Sequence, residues 1–323
     1  MIRRDFITLL GVAAAAWPIA ARAQEPGRVH RLGAIIPVGR QTPAIIAFFD
    51  EMRLFGFTEA QNLVVLPNGF GVRNDELAER AEALVKAAPD VIVSGPDNYT
   101  RVLQQLTRTI PLVAMTEDMV RAGLVNSLAR PGGNTTGISL LSPELDGKRL
   151  ETLAEAVPGV RKMAALADAT VTPQSHLDAL QDAAHRRGFD LLVLGVSKRE
   201  EVVPALDTAK ANGAQAVNLL ASPLFTVEPR AFIERIVALR LPAMHQWPEV
   251  AEDGGLLGYG PRFTQVFHQR ARMVAKILRG AKPIDIPVEQ PTHFELVVNL
   301  QTAKAIGHEV PPGFVLRADK VIE

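Results

Sequence analysis

Few residues in this sequence could do acid–base chemistry, and they are scattered. Glu117-Asp118 and Asp168 each follow a short apolar run, and His245 closes another. A carboxylate or imidazole at a strand end can serve as a general acid or base if its partners converge on one reacting atom. At isolated strand ends the same types more commonly cap a following helix, which fits the absence of a motif around them. The sequence has no cysteine, which removes thiol nucleophiles, disulfides and Cys-ligated metals. Its seven histidines form no H-E-x-x-H pair, because His308-Glu309 runs into Val310-Pro311-Pro312. Ser139 and Ser197 lack the glycines of a nucleophile elbow. Gly69-Phe70-Gly71 lacks a third glycine, Gly254-Gly255 and Gly258-Tyr259-Gly260 have the wrong spacing for a dinucleotide fingerprint, and Gly147-Lys148 is no phosphate loop. We therefore expect no catalytic residue, no metal and no cofactor.

Charge narrows the partners. Thirty-five basic residues balance thirty-five acidic ones, and aromatics make up 5% of the chain. A surface that tracks phosphates would carry a basic surplus, and a single-strand binder would need stacking platforms, so no nucleic-acid partner is expected. At the start, Arg3 and Arg4 precede an apolar stretch over 6–20, followed by Ala21-Arg22-Ala23. Charged, apolar and small segments in that order predict a signal peptide over 1–23, cleaved near Ala23 and too short to span a bilayer. Arg3-Arg4-Asp5-Phe6-Ile7 resembles the twin-arginine motif, with Ile2 where Ser or Thr is usual; Sec export is the alternative. The mature chain would hold 300 residues, with 32 basic and 34 acidic, and would be soluble and free in a periplasm.

The elements that must position any site alternate regularly. Short apolar runs occur at 31–37, 62–66, 90–94, 111–115, 135–140, 162–167, 190–194, 216–220, 241–245, 256–260 and 295–299. They are continuous rather than alternating, as strands covered on both faces must be. Between them lie helical stripes such as Leu77, Ala81, Leu84, Val85 and Ala88. This predicts an α/β protein with right-handed crossovers, its eleven strands divided between two doubly wound parallel sheets of about five.

Several segments carry a family resemblance: Arg31-Leu32-Gly33, Pro131-Gly132-Gly133-Asn134-Thr135-Thr136-Gly137, Lys148-Arg149-Leu150-Glu151 and Gly254-Gly255-Leu256. Others are 277–283 (Ile-Leu-Arg-Gly-Ala-Lys-Pro), Gln290-Pro291-Thr292, 294–299 and Arg317-Ala318-Asp319-Lys320-Val321-Ile322-Glu323. In this order, over nearly the whole chain, they resemble the ABC transporter substrate-binding proteins of the tryptophan/tyrosine-binding type, which have the type I periplasmic binding protein fold. The resemblance implies two doubly wound lobes joined by a hinge with three crossings, near 134–140, 255–260 and 288–296. Lobe one would hold 30–136 plus 258–288, and lobe two 137–257 plus 289–323. It further implies a small-molecule ligand trapped by hinge closure and an ABC permease in the inner membrane as partner. A monomer is expected.

In open α/β sheets ligands bind beyond the carboxyl ends of the strands. Lobe one offers Arg40, Asp97, Asn98, Thr116 and Glu117 there; lobe two offers Asp168, Ser222 and Trp247, and Tyr259 lies in a hinge crossing. Arg40 could pair with a ligand carboxylate, Asp168 or Glu117 could accept from an amine, and Trp247 could wall an aromatic cleft. The expected function is capture of a small organic ligand, an aromatic amino acid or aromatic acid, for an ABC importer. The rival readings are an exported α/β hydrolase or isomerase using Asp168, Glu117 or His245, and a ligand-sensing partner of a membrane receptor.

Overall fold

The computed structural model describes residues 28–227 and 229–323; the expected signal peptide lies outside the described residues. Among the described residues twelve strands form: β1 (His30–Ile35), β2 (Leu63–Val65), β3 (Val91–Ser94), β4 (Leu112–Thr116), β5 (Thr135–Ser139), β6 (Lys162–Asp168), β7 (Asp190–Val196), β8 (Ala216–Leu219), β9 (Ala243–His245), β10 (Leu257–Gly260), β11 (Glu295–Asn299) and β12 (Lys320–Ile322). Eleven fall on the apolar runs. The twelfth was missed because three residues at the chain end, one of them Lys320, carry no apolar run; its strand character comes from pairing with β11.

Two sheets result. The first is wholly parallel, in the order β2-β1-β3-β4-β5. The second runs β12-β11-β10-β9-β8-β6-β7, with only the β10–β11 pair antiparallel. It has seven strands rather than about five. Five of these, in the order β7-β6-β8-β9-β10, repeat the winding of the first sheet, and β11 and β12 extend the far edge. Each lobe is thus a doubly wound unit with its own switch point, between β1 and β3 in one and between β6 and β8 in the other.

The strands are buried on both faces as their composition requires: β3, β5, β8 and β9 are buried throughout. Helix Phe263–Leu278 follows β10 in sequence yet packs on helix Pro43–Leu54 and on β3, β4 and β5 of the first lobe. The chain passes between lobes at 140–141, 261–262 and 289–294. The expected lobe boundaries at 136/137 and 257/258 therefore fall inside β5 and β10, each of which stays whole within one sheet. Backbone hydrogen bonds tie the end of β5, just before the first crossing, to the third: Ser139 N–H donates to Glu289 O and Glu289 N–H to Gly137 O, both at 2.9 Å. Arg262, in the second crossing, reaches Glu252 and Glu295, each at 2.7 Å. Among the described residues no helix is long and apolar enough to cross a membrane.

Candidate functional site: the cleft between the lobes

Parallel strands deliver their carboxyl ends to one edge, and here the two switch points face each other across the hinge. Two adjoining cavities lie there, sharing Glu117. The narrower has a volume of about 40 Å³. The first lobe lines it with Ile36, Pro37 and Val38 after β1, Gly95 and Pro96 after β3, and Met115; the second with Ser222, Thr226 and Trp247. The wider, of about 570 Å³, brings polar side chains of both lobes together: Asp97, Asn98, Arg101, Asp118 and Arg121 face Thr170, Thr172 and His176.

An aromatic ladder joins the lobes at the narrow cavity. Trp247, after β9, packs on Phe263 with centroids 4.5 Å apart, and Phe263 meets Phe267 edge-on at 4.9 Å. The two phenylalanines are four residues apart on one helix and so share a face. The Trp247 indole N–H donates to Thr226 Oγ1 at 3.1 Å, which fixes the ring plane.

On the floor of the second lobe Asp168 is buried and fully engaged. Its Oδ1 accepts from the Thr170 backbone N–H and hydroxyl at 2.9 and 2.6 Å, and its Oδ2 accepts from Ser222 Oγ at 2.6 Å. Ser222 Oγ in turn accepts from Leu224 N–H at 3.0 Å and so caps the short helix Pro223–Thr226. Asp168 therefore shapes the ends of β6 and β8 and lines neither cavity itself.

Of the other expected ligand residues, Asp97, Asn98 and Glu117 line the wider cavity, and Glu117, Ser222 and Trp247 the narrow one. Thr116 is buried at the end of β4 and lines neither cavity. Arg40 lies elsewhere: its guanidinium sits 4.0 Å over the Phe49 ring, 5.1 Å from Phe70, and pairs with Glu59. Tyr259 belongs to β10, and its carbonyl accepts from Arg149 Nε at 2.8 Å; it lines neither cavity. His245 hydrogen-bonds through neither ring nitrogen, so no imidazole is aligned on Asp168. Among the described residues no group of three or more histidine or acidic side chains is placed to hold a metal.

One residue that sequence reasoning passed over lines the narrow cavity: Arg270, fully buried on helix Phe263–Leu278. A signal for it existed. Phe263, Phe267, Arg270, Val274 and Ile277 recur at three- and four-residue spacing, and an arginine inside an apolar stripe demands a partner.

Burial tunes two groups near the cleft in opposite senses. It pushes the Asp97 carboxyl up to about 6, against the pull of the Arg101 guanidinium, and drops the His245 imidazole to about 4. Folded Asp97 holds a proton above its ordinary 3.8, so its contribution is complete below pH 3.8 and is lost as pH rises through about 6. Folded His245 resists the proton it would take at 6.5, so its contribution is complete above pH 6.5 and is lost as pH falls towards 4. Each amounts to about 3 kcal/mol. The two nearly cancel between pH 4 and 6.5. Asp97→Asn is expected to raise Tm at pH 7 and to make it fall steeply on acidification from pH 6.5 to 4.5. Thermal melts across pH check this, and parallel curves for variant and wild type refute it.

Comparison with known proteins places the fold. Solved structures similar to this chain include a conserved domain protein from Vibrio cholerae (24% identity, covering 91% of this chain and 100% of that one, TM-score 0.83). A second is a Streptococcus pneumonia ABC domain in complex with L-Trp (20% identity, 91% and 100%, TM-score 0.79). A third is a ligand-free, open substrate-binding protein with adhesive properties from Clostridium difficile (22% identity, 91% and 99%, TM-score 0.62). Among curated proteins, a tyrosine-binding protein of Clostridioides difficile (strain R20291) is 24% identical over 230 residues, which span 70% of this chain and 65% of the relative. The family model described as ABC transporter substrate binding protein matches residues 55–322, most of the chain. The two-lobed protein with its cleft between facing switch points thus belongs to the ABC transporter substrate-binding protein family.

Proposed function

We propose that this protein is the exported cargo receptor of an ABC importer, closing its two lobes over a small aromatic molecule, an aromatic amino acid or aromatic acid. The observation that carries the reading is the inter-lobe ladder of Trp247, Phe263 and Phe267 at the meeting point of both switch points. Rings contributed by both lobes give an aromatic guest a reason to prefer the closed arrangement, and a ligand shifts a hinge only by such a preference. Family membership supports the transport role. The printed descriptions of two relatives, one tyrosine-binding and one bound to L-Trp, support the aromatic class. In this reading residues 1–23 direct export and are removed, the mature chain acts as a periplasmic monomer, a membrane permease is its partner, and the chain has no catalytic role.

A thermal-shift panel of amino acids, aromatic acids, sugars and polyamines tests the proposal. An aromatic member at 100 times its dissociation constant adds about 2.7 kcal/mol and should raise Tm by about 4 °C. Trp247 is the one tryptophan beyond the expected leader, so its fluorescence reports directly on occupancy of the cleft. A panel in which nothing moves either signal refutes the reading.

A further inference from the structure

Arg270 has no relative exposure, yet its guanidinium is only partly engaged. Nη2 donates to the Ser94 and Val113 carbonyls, the latter at 3.0 Å. Nε and Nη1 are buried without any hydrogen-bond partner, and among the described residues no acidic side chain pairs with the group. Burial lowers its pKa to about 9, which leaves it cationic at neutral pH. A buried cation held only by two carbonyls and by the Phe267 ring face 5.5 Å away, with donors left free, is among the costliest features a fold can keep, and it is kept where something outside the chain completes it.

We propose that Arg270 receives the carboxylate of the cargo in the narrow inter-lobe cavity, so that the protein carries an organic acid whose apolar body rests against Trp247, Phe263 and Phe267. The inference deepens the cargo-receptor reading and rests on it. The cavity defines the anion further. Pro37, Pro96 and Pro223 line it and have no backbone N–H, so Arg270 is its main source of charge-assisted hydrogen bonds. Two free donor groups suit a monoanionic carboxylate; a phosphate or sulfate needs more donors than this wall supplies. Glu117 shares the cavity and stands where an α-ammonium on the same acid would find a carboxylate.

The test pairs each acid with its neutral counterpart. The probes are 3-phenylpropanoate and L-phenylalanine, each against its primary amide, read by Trp247 fluorescence titration and calorimetry on wild type, Arg270→Met and Arg270→Lys. Wild type is expected to prefer at least one acid over its amide by about 30-fold or more. Arg270→Met is expected to weaken that acid about 100-fold while leaving the amide within about threefold, and Arg270→Lys to recover part of the loss. A purely structural arginine would weaken acid and amide equally, so the interaction between the two changes is the decisive quantity. Acid and amide binding alike to wild type, or undiminished acid binding by Arg270→Met, overturns the proposal and leaves the cargo-receptor reading standing. So does binding by wild type of only neutral or cationic members of the wider panel. If nothing in that panel binds, both fall together.

Discussion

Alanine at position 137 is expected to abolish the folded state or lower its stability by more than about 4 kcal/mol. Gly137 sits in β5 opposite Ala114 of β4, with φ +151, and a Cβ there would lie 2.0 Å from the Ala114 carbonyl oxygen and 2.7 Å from its carbon and nitrogen. Those atoms are backbone, fixed by the β4–β5 ladder on one side. On the other side, the Glu289 N–H that donates to Gly137 O ties the strand to the third crossing. Neither neighbour can give without breaking a ladder or moving the hinge, unlike a clash with the tip of a flexible side chain. Gly147→Ala is the matched control. It lies inside helix Ser142–Ala156, meets nothing within 4 Å, and should raise stability by up to about 1 kcal/mol. Circular-dichroism melts of both variants decide the matter; a Gly137→Ala protein melting within two or three degrees of wild type would sink the argument.

Asp146→Ala is expected to be the next most damaging change, at about 3–5 kcal/mol. Asp146 and Arg149 are one turn apart on that same helix, both without side-chain exposure, and paired at 2.7 Å. Arg149 continues to the Tyr259 carbonyl, two residues before the second crossing, while His176, on the wall of the wider cavity, lies 3.0 Å from the other Asp146 oxygen. Removing the carboxylate strands a buried guanidinium beside the hinge. The attraction within such a pair only offsets the desolvation of its members, so removing both charges should cost far less than removing one. Asp146→Leu/Arg149→Met should therefore recover most of the stability lost by Asp146→Ala. Denaturant midpoints for the set measure this, and a double variant no more stable than Asp146→Ala contradicts it.

How much of the cleft could be read from the residues depends on which side of the backbone one asks about. That loops after β1, β3, β4, β6, β8 and β9 approach a common edge follows from parallel winding alone, and Asp97, Glu117, Ser222 and Trp247 line the cavities there. Side-chain direction within those loops does not follow. Arg40 is as close in sequence to a strand end as any of them, but it turns onto Phe49 and Phe70, two faces contributed by separate segments. Asp168 is equally a strand-end residue and is held inward by Thr170 and Ser222, the latter 54 positions away. Tyr259 follows the pleat of β10, and the β10–β11 register sets it opposite Leu296.

The sequence by itself determined the alternation of strands and helices, the two-sheet architecture and the absence of a catalytic motif. These depend on local periodicity and on the need to cover both faces of a parallel strand, which windows of about 11–18 residues disclose along the chain. Only the tertiary structure decided which groups meet in the cleft. Arg270 reaches carbonyls 176 and 157 positions earlier in the chain, across a crossing that returns its helix to the first lobe. Trp247 finds Phe263 across the same crossing. Such contacts are set by the geometry of three hinge segments rather than by local pattern, because hydrophobic burial fixes that a face is covered but not which distant side chain completes it.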